Sequence, residues 1–231
     1  MKQPLRYLFI LIIFWSGLIR TAAQPPASVS GRVLGYLSNR IGDYDGLRLR
    51  TGTGEVQLFF PPHTAAKIRG LAAVGQLLVA DVKPGDGGPG HSRPGIAPPG
   101  LGQIPQETAE AEPPVIKTYR LMRLRNTSSG AAFQVSDLPP PPPQSGRLVQ
   151  TEGRLVGDMH DENGQLVALL TDNYLIELKP HQAEQISSLL EGVQRLGVAG
   201  YERAMDGFVN RTGRPLLHPT ALTIRGQTFA L

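Results

Sequence analysis

Residues 45–63 read DGLRLRTGTGEVQLFFPPH, and residues 163–181 read NGQLVALLTDNYLIELKPH. From Gly46 to His63 the first stretch lies over Gly164 to His181 without a gap, a constant shift of 118 positions (46 to 164). Self-similarity of this length within one chain means a duplicated structural unit, and it constrains the architecture before any single element is assigned. In both copies a turn pair, Asp45-Gly46 and Asn163-Gly164, precedes two strand-like runs. Such pairs tolerate positive φ, which matches the twist of a hairpin's flanking strands. A tight turn is therefore expected at each pair.

Beyond the turns, residues 47–50 alternate apolar and polar, as a half-buried strand does, while residues 166–170 are apolar throughout and should be buried on both faces. Third strands are expected over 56–60 and 174–178. Both run into Pro-His, at Pro62-His63 and Pro180-His181, where the missing proline N–H ends a ladder. Helices should follow at once over 63–74 and 181–194. Their apolar residues (Ile68, Leu71 and Val74; Ile186, Leu189, Leu190 and Val193) recur at helical spacing. Fourth strands fit 76–82 and 196–201, and fifth strands fit 115–125 and 219–224. Upstream, each copy opens with a Gly-Arg-x-x-Gly run at 31–35 and 153–157. Glycines spaced so within a strand mark bulges or bends, and hence a long, coiled first strand. The order β-β-β-α-β-β is that of the OB-fold, a small five-stranded Greek-key barrel. The fold class expected is mainly β: two tandem OB-fold-like barrels, each with one helix between strands three and four.

The copies differ most between strands four and five. In the first, residues 83–114 are rich in Gly and Pro, then in Glu and Ala, and carry almost no apolar periodicity. A segment of that composition is expected to be disordered. The second copy fills the same place with the shorter loop 204–218. Residues 139–143 are five consecutive prolines, a stiff polyproline spacer by composition. The domains expected are thus 29–136, with the insertion at 83–114, and 147–231, joined by a linker over 137–146. Residues 1–23 stand apart from both. Lys2 and Arg6 precede an apolar run over 7–15, then small residues end in Thr21-Ala22-Ala23. That is the layout of a cleaved secretory signal peptide. The apolar run is shorter than the ~20 residues a membrane span needs.

Taken together, D-G-L-x-L at 45–49, P-P-H at 61–63 and P-V-I at 114–116 resemble a group of uncharacterised exported bacterial proteins with tandem OB-fold-like domains. The second copy keeps the pattern loosely, as Asn163-Gly164, Pro180-His181 and His218-Pro219-Thr220. The resemblance covers most of both barrels and implies the fold. It brings no assigned chemistry with it, and a fold by itself does not set a function.

Composition narrows the function classes. The chain has no cysteine, which excludes disulfides, thiolate metal sites and cysteine nucleophiles. Export into an oxidising compartment usually permits disulfides, so each barrel must be held by its apolar core. The formal charge of +4 includes Lys2, Arg6 and Arg20 of the expected signal; without them 20 basic residues face 19 acidic ones. A near-neutral mature chain lacks the electrostatic footprint of a dedicated nucleic-acid binder. The enzymatic signatures G-x-S-x-G, H-E-x-x-H, the phosphate-binding loop and the dinucleotide fingerprint are absent from the sequence. The expectation is a protein that is not an enzyme and needs no cofactor, a periplasmic or secreted binding module of the bacterial envelope. Its partner would be a protein or an anionic polymer.

Three groups of residues are candidates for ligand binding. Arg48 and Arg50, with Arg123 and Arg125, form two Arg-x-Arg pairs whose alternation puts each pair on one strand face. If strands two and five expose the same side, a basic patch for phosphate or an acidic glycan results. From residue 24 to 137 the balance is 12 basic against 9 acidic, and from 138 onward 8 against 10, so the excess sits in the first copy. Phe59, and Tyr174 in the other copy, are the strand aromatics on which a base or sugar could stack. Finally, His63 and His181 occupy matching positions and could bind a metal or an anion, or act as helix-start residues. No H-x-H or H-x-x-x-H spacing supports them, so a metal site would have to assemble through space.

Overall fold

The computed structural model describes residues 27–85, 116–141 and 146–231. The expected signal peptide, the insertion from residue 86 onward and linker residues 142–145 lie outside those residues. In the first copy the strands are β1 (Ala27–Ser38), β2 (Tyr44–Thr51), β3 (Gly54–Phe59), β4 (Leu77–Pro84) and β5 (Lys117–Asn126), with helix α1 (Ala65–Leu71) between β3 and β4. A short strand β6 (Ala132–Gln134) follows. The second copy contains β7 (Leu148–His160), β8 (Leu166–Thr171), β9 (Leu175–Glu177), α2 (Pro180–Ile186), β10 (Arg195–Glu202), β11 (Leu216–Ile224) and the additional β12 (Gln227–Ala230). Each copy pairs its five main strands in the order 3-2-1-4-5, and a parallel pairing of the third with the fifth, β3 with β5 and β9 with β11, closes the barrel. The chain is two closed five-stranded barrels in tandem, each with one helix, as expected for the OB-fold.

The first strands are long because they coil round the barrel, and the ladder shows where. Between β1 and β2 the register shifts at 33/35 and again at 37/38; between β7 and β8 it shifts at 155/157 and 159/160. Each first shift lies at the second glycine of the Gly-Arg-x-x-Gly run, where a bulge tightens the local twist. Position by position these shifts lie 122 residues apart (33 to 155), not 118.

That difference corrects the expected turns. Asp45 and Gly46 lie inside β2, not in a turn. The turn before β2 spans 39–43, and the one before β8 spans 161–165. Asn39 Oδ1 accepts from the backbone N–H of Ile41 at 3.1 Å and of Asp43 at 3.0 Å. Asp161 Oδ1 does the same for Asn163 and Gln165, both at 2.9 Å. Gly42 at φ +85° and Gly164 at φ +76° supply the left-handed residue that the turn requires. Asn39 and Gly42 thus correspond to Asp161 and Gly164, again 122 apart (42 to 164). Strands β3 and β9 return to the shift of 118, since Leu58 and Ile176 face Leu47 and Leu169 across their hairpins. The gapless overlay therefore hides a slip of four residues, and it pairs a strand dipeptide with a turn dipeptide of similar composition.

The helices are shorter than their apolar pattern. After Leu71 the chain leaves α1 so that the N–H of Gly75 can bond Val33 O at 2.9 Å, and Val74 ends 64% exposed. After Ile186 the chain tightens into a 3-10 turn over Ser187–Leu189. Backbone groups at the barrel ends must be paired, and pairing them with β1 or β7 outcompetes another helical turn. What remains of each helix stoppers its barrel. Ile68 from α1 joins Leu47, Leu49, Leu58, Leu78, Leu121 and Leu124 in the first core. Ile186 from α2 joins Leu169, Ile176, Leu196, Leu217 and Leu222 in the second. Strand β4 also extends through Lys83 and Pro84, both expected in the insertion.

Candidate ligand face and the junction between the barrels

In OB-folds the outer surface of strands two and three, with the loops beside it, is the usual ligand platform. This chain has two such surfaces, and their fates differ. On the second barrel the outward residues Ala168, Leu170 and Leu175 are apolar, and with Val167, Met159 and Leu216 they pack around Ile41 of the first barrel. Ile41 is 5% exposed and sits at the tip of the turn between β1 and β2. This accounts for the unbroken apolar run of 166–170: Leu166 and Leu169 fill the barrel interior, while Ala168 and Leu170 meet the neighbouring barrel.

The loop between β10 and β11 completes the junction. Arg203 donates to both carboxylate oxygens of Asp43, at 2.7 and 2.9 Å, and its guanidinium lies 3.9 Å from the centre of the Phe208 ring. Asn210 Nδ2 donates to Ile41 O and to Asp43 Oδ1, both at 2.9 Å. Backbone contacts run alongside: the N–H of Tyr44 to Val209 O, of Ala66 to Gly207 O and of Arg211 to Gly42 O, each 2.9 Å. Asp43 and Asn210 form a β-bridge across the two barrels. Buried charges need a partner and further hydrogen bonds to offset their desolvation, and Asp43, 1% exposed, has both. Beside it Asp45, 4% exposed, has its carboxyl pushed up to about 7, chiefly by burial and further by the charge of Asp43, against a hydrogen bond to its own backbone.

The first barrel's surface faces outward. Arg48 and Arg50 are exposed on β2, across from Gln57 and Glu55 of β3. Arg50 forms an ion pair with Glu55 at 2.7 Å. Continuing round the wall, Arg50 faces Arg32 of β1, and on the other side Phe59 of β3 faces Arg120 of β5, which in turn faces Lys83 of β4. These three basic residues were not singled out in the sequence. A parity count would reach Arg120 only once the register shift at 121/123 is known, since that shift swaps the faces of β5.

The other candidates are dispersed. Arg123 and Arg125 are exposed, but they face Asp81 and Val79 of β4 and Gln134 and Ala132 of β6. Around the closed wall β3 alone separates β2 from β5, and Arg123 and Arg125 lie along β5 beyond Arg120, on the side toward Asp81 and Val79 of β4. Phe59 is 7% exposed, pressed beside Gly46 and Leu37, and offers no ring to a ligand. Tyr174 packs on the second core, and its hydroxyl donates to Glu202 at 3.3 Å. His63 is half-buried, with Nε2 3.3 Å from Leu138 O and its ring 6.3 Å from that of Phe208, whereas His181 is exposed on α2. Matching positions in sequence have become different environments. Among the described residues no group of three or more His, Asp or Glu is placed to hold a metal ion. Nor is any helix among them long and apolar enough to cross a membrane.

Comparison of the chain with protein-family models and with curated proteins gives no match.

Proposed function

We propose that the protein is a non-catalytic, exported binding module of the bacterial envelope, in which the first barrel carries the ligand face and the second holds it in place. The observation that carries this reading is the asymmetry of two equivalent surfaces. The outer face of β8 and β9 is apolar at Ala168, Leu170 and Leu175 and is covered there by Ile41, while that of β2 and β3 carries exposed Arg48 and Arg50 beside half-buried Glu55 and Gln57. A binding fold that spends one of its two platforms on its own twin retains the other for a ligand. The basic, apolar and small-residue succession of the N-terminus fits delivery outside the cytoplasm. Buried Asp43 and Arg203 are engaged with each other and with Asn210, which fits a structural rather than a catalytic task for them.

A thermal-shift panel tests this reading, using divalent metals, acidic and neutral glycans, single-stranded DNA and peptidoglycan fragments. A ligand specific for the folded state adds about 2.7 kcal/mol of stability at a hundredfold excess over its Kd. A shift with one class, lost when Arg48 and Arg50 are both changed to Ala, supports the reading. A cooperative melt that no member of the panel moves overturns it for small ligands and polymers, and leaves a protein partner.

A further inference from the structure

Resting on that reading of the first barrel, we propose that its outer face binds an anionic polysaccharide, a sugar chain carrying carboxylate, sulfate or phosphate groups, through Arg32, Arg48, Arg50, Lys83 and Arg120. The strand registers bring these five together from β1, β2, β4 and β5. All five are exposed, and the acidic residue interposed among them is Glu55. They form three successive rows across the wall. Lys83, Arg120, Phe59 and Gly46 make the first, Thr118, Gln57, Arg48 and Gly35 the second, and Glu55, Arg50 and Arg32 the third.

Two of the cross-strand pairs are of like charge, Arg32 opposite Arg50 and Lys83 opposite Arg120. Like charges directly opposed on a sheet destabilise it, and Glu55 relieves one pair only. Anionic groups laid across the rows would relieve both, and forked guanidinium donors suit carboxylate, sulfate and phosphate oxygens. The middle row offers the uncharged polar side chains of Gln57 and Thr118, fit for sugar hydroxyls. A nucleic acid is disfavoured by the aromatic residues of this barrel, because base binding without sequence preference relies on exposed rings. Phe59 is buried, Tyr119 packs on the core, and the rings of Tyr36 and Tyr44, 5.5 Å apart, are both capped by Arg69.

The test is a binding titration of the full-length exported protein with three probes: heparin, alginate and neutral dextran. Single-stranded oligo(dT) is the competing arm. The expected result is binding to heparin and alginate that weakens steeply with salt, and none to dextran. Arg48→Glu combined with Arg120→Glu should weaken binding at least about tenfold, the scale for losing two charge-assisted contacts. Arg154→Glu combined with Arg195→Glu, an equal charge change on β7 and β10 of the second barrel, should leave it within about twofold, since screened exposed charges away from the ligand act weakly. Unchanged melting of both variants shows that the fold is intact. Equal losses in the two variants would reduce the effect to net charge and overturn the proposal, as would tighter binding of oligo(dT) than of either acidic glycan. If both acidic glycans fail to bind while another member of the thermal-shift panel moves the melt, this inference falls and the binding module stands. If nothing moves it, this inference falls together with the reading of a module for small ligands and polymers, and a protein partner is what remains.

Discussion

Asp43 and Arg203, 160 positions apart in sequence, meet across the two barrels in a forked pair of hydrogen bonds of 2.7 and 2.9 Å. The carboxylate is 1% exposed and the guanidinium side chain 13%. Their pairing converts two repeats into one body, because neither group can leave without stranding the other in a buried setting.

Removing one partner should therefore cost more than removing both. Asp43→Ala is expected to destabilise the protein by about 3–5 kcal/mol, the range for orphaning a buried charge. Asp43→Leu combined with Arg203→Met should recover most of that loss, since an apolar pair of similar volume carries no desolvation cost. Urea unfolding of the three proteins measures both effects. A double variant worse than the single would contradict the account.

Ile41 is the apolar half of the same junction. Ile41→Ala should cost about 2–4 kcal/mol by the usual cost of a vacated apolar site. Ile41→Asp should go further and separate the barrels, so that calorimetry resolves two transitions in place of one. A single transition of unchanged midpoint would show that the apolar contact carries little of the coupling.

The carboxyl of Asp45 predicts a pH effect whose sign is fixed. Its folded value of about 7 exceeds the ordinary 3.8, chiefly through burial. Between those values the unfolded chain is ionised while the folded chain retains the proton, so Asp45 lowers stability progressively as pH rises from about 4 to about 7. Above that range the penalty is constant. Asp45→Asn should thus gain stability over the parent as pH rises through this window, and the gain should level off near pH 8. Unfolding midpoints at pH 4, 6 and 8 check it. A difference independent of pH would refute the raised value.

Gly207 is set by close approach. A Cβ there would lie 2.0 Å from His63 O in the other barrel, and its φ is +81°. Gly213 shares a positive φ of +68° in the same loop but has open space around it. Gly213→Ala should cost about 1 kcal/mol for the backbone alone. Gly207→Ala should cost clearly more, about 2 kcal/mol or above, through displacement of the docked loop. Equal costs measured by chemical denaturation would mean that the contact is soft.

Much of the fold was legible because burial leaves a local trace. The alternation of 47–50 reports a wall with one wet face, and the apolar run of 166–170 reports a wall with none. The glycine runs gave the bulges. The turn at Asp45-Gly46 was misread because composition cannot separate a turn dipeptide from a strand dipeptide in a slipped register; only the ladder shows that Gly42, not Gly46, is left-handed. Strand β12 went unseen for a related reason. Its hairpin turns on Arg225-Gly226, at φ 51° and 79°, and arginine is an uncommon residue for the first of these positions. At the candidate face, Arg48 and Arg50 were readable because the irregularity of β2, at Asp45, lies before them and leaves 47–50 in plain alternation, whereas Arg120 was not, since the extra residue Met122 puts it on the same face as Arg123 and Arg125 against their parity.

The sequence by itself determined that the chain is duplicated, in what order each copy lays its strands, and which stretches must be covered. Hydrophobic pattern carries that information, because whether a side chain leaves water is written in its own chemistry. What covers it is not. That Ile41 of one copy lies on β8 and β9 of the other, that Asp43 pairs with Arg203, and that five basic residues from four strands share a single wall were decided only by the tertiary structure. These relations join residues whose local sequences are independent, and they exist only when closure of both barrels and docking of the loop between β10 and β11 fix distances that no local pattern encodes.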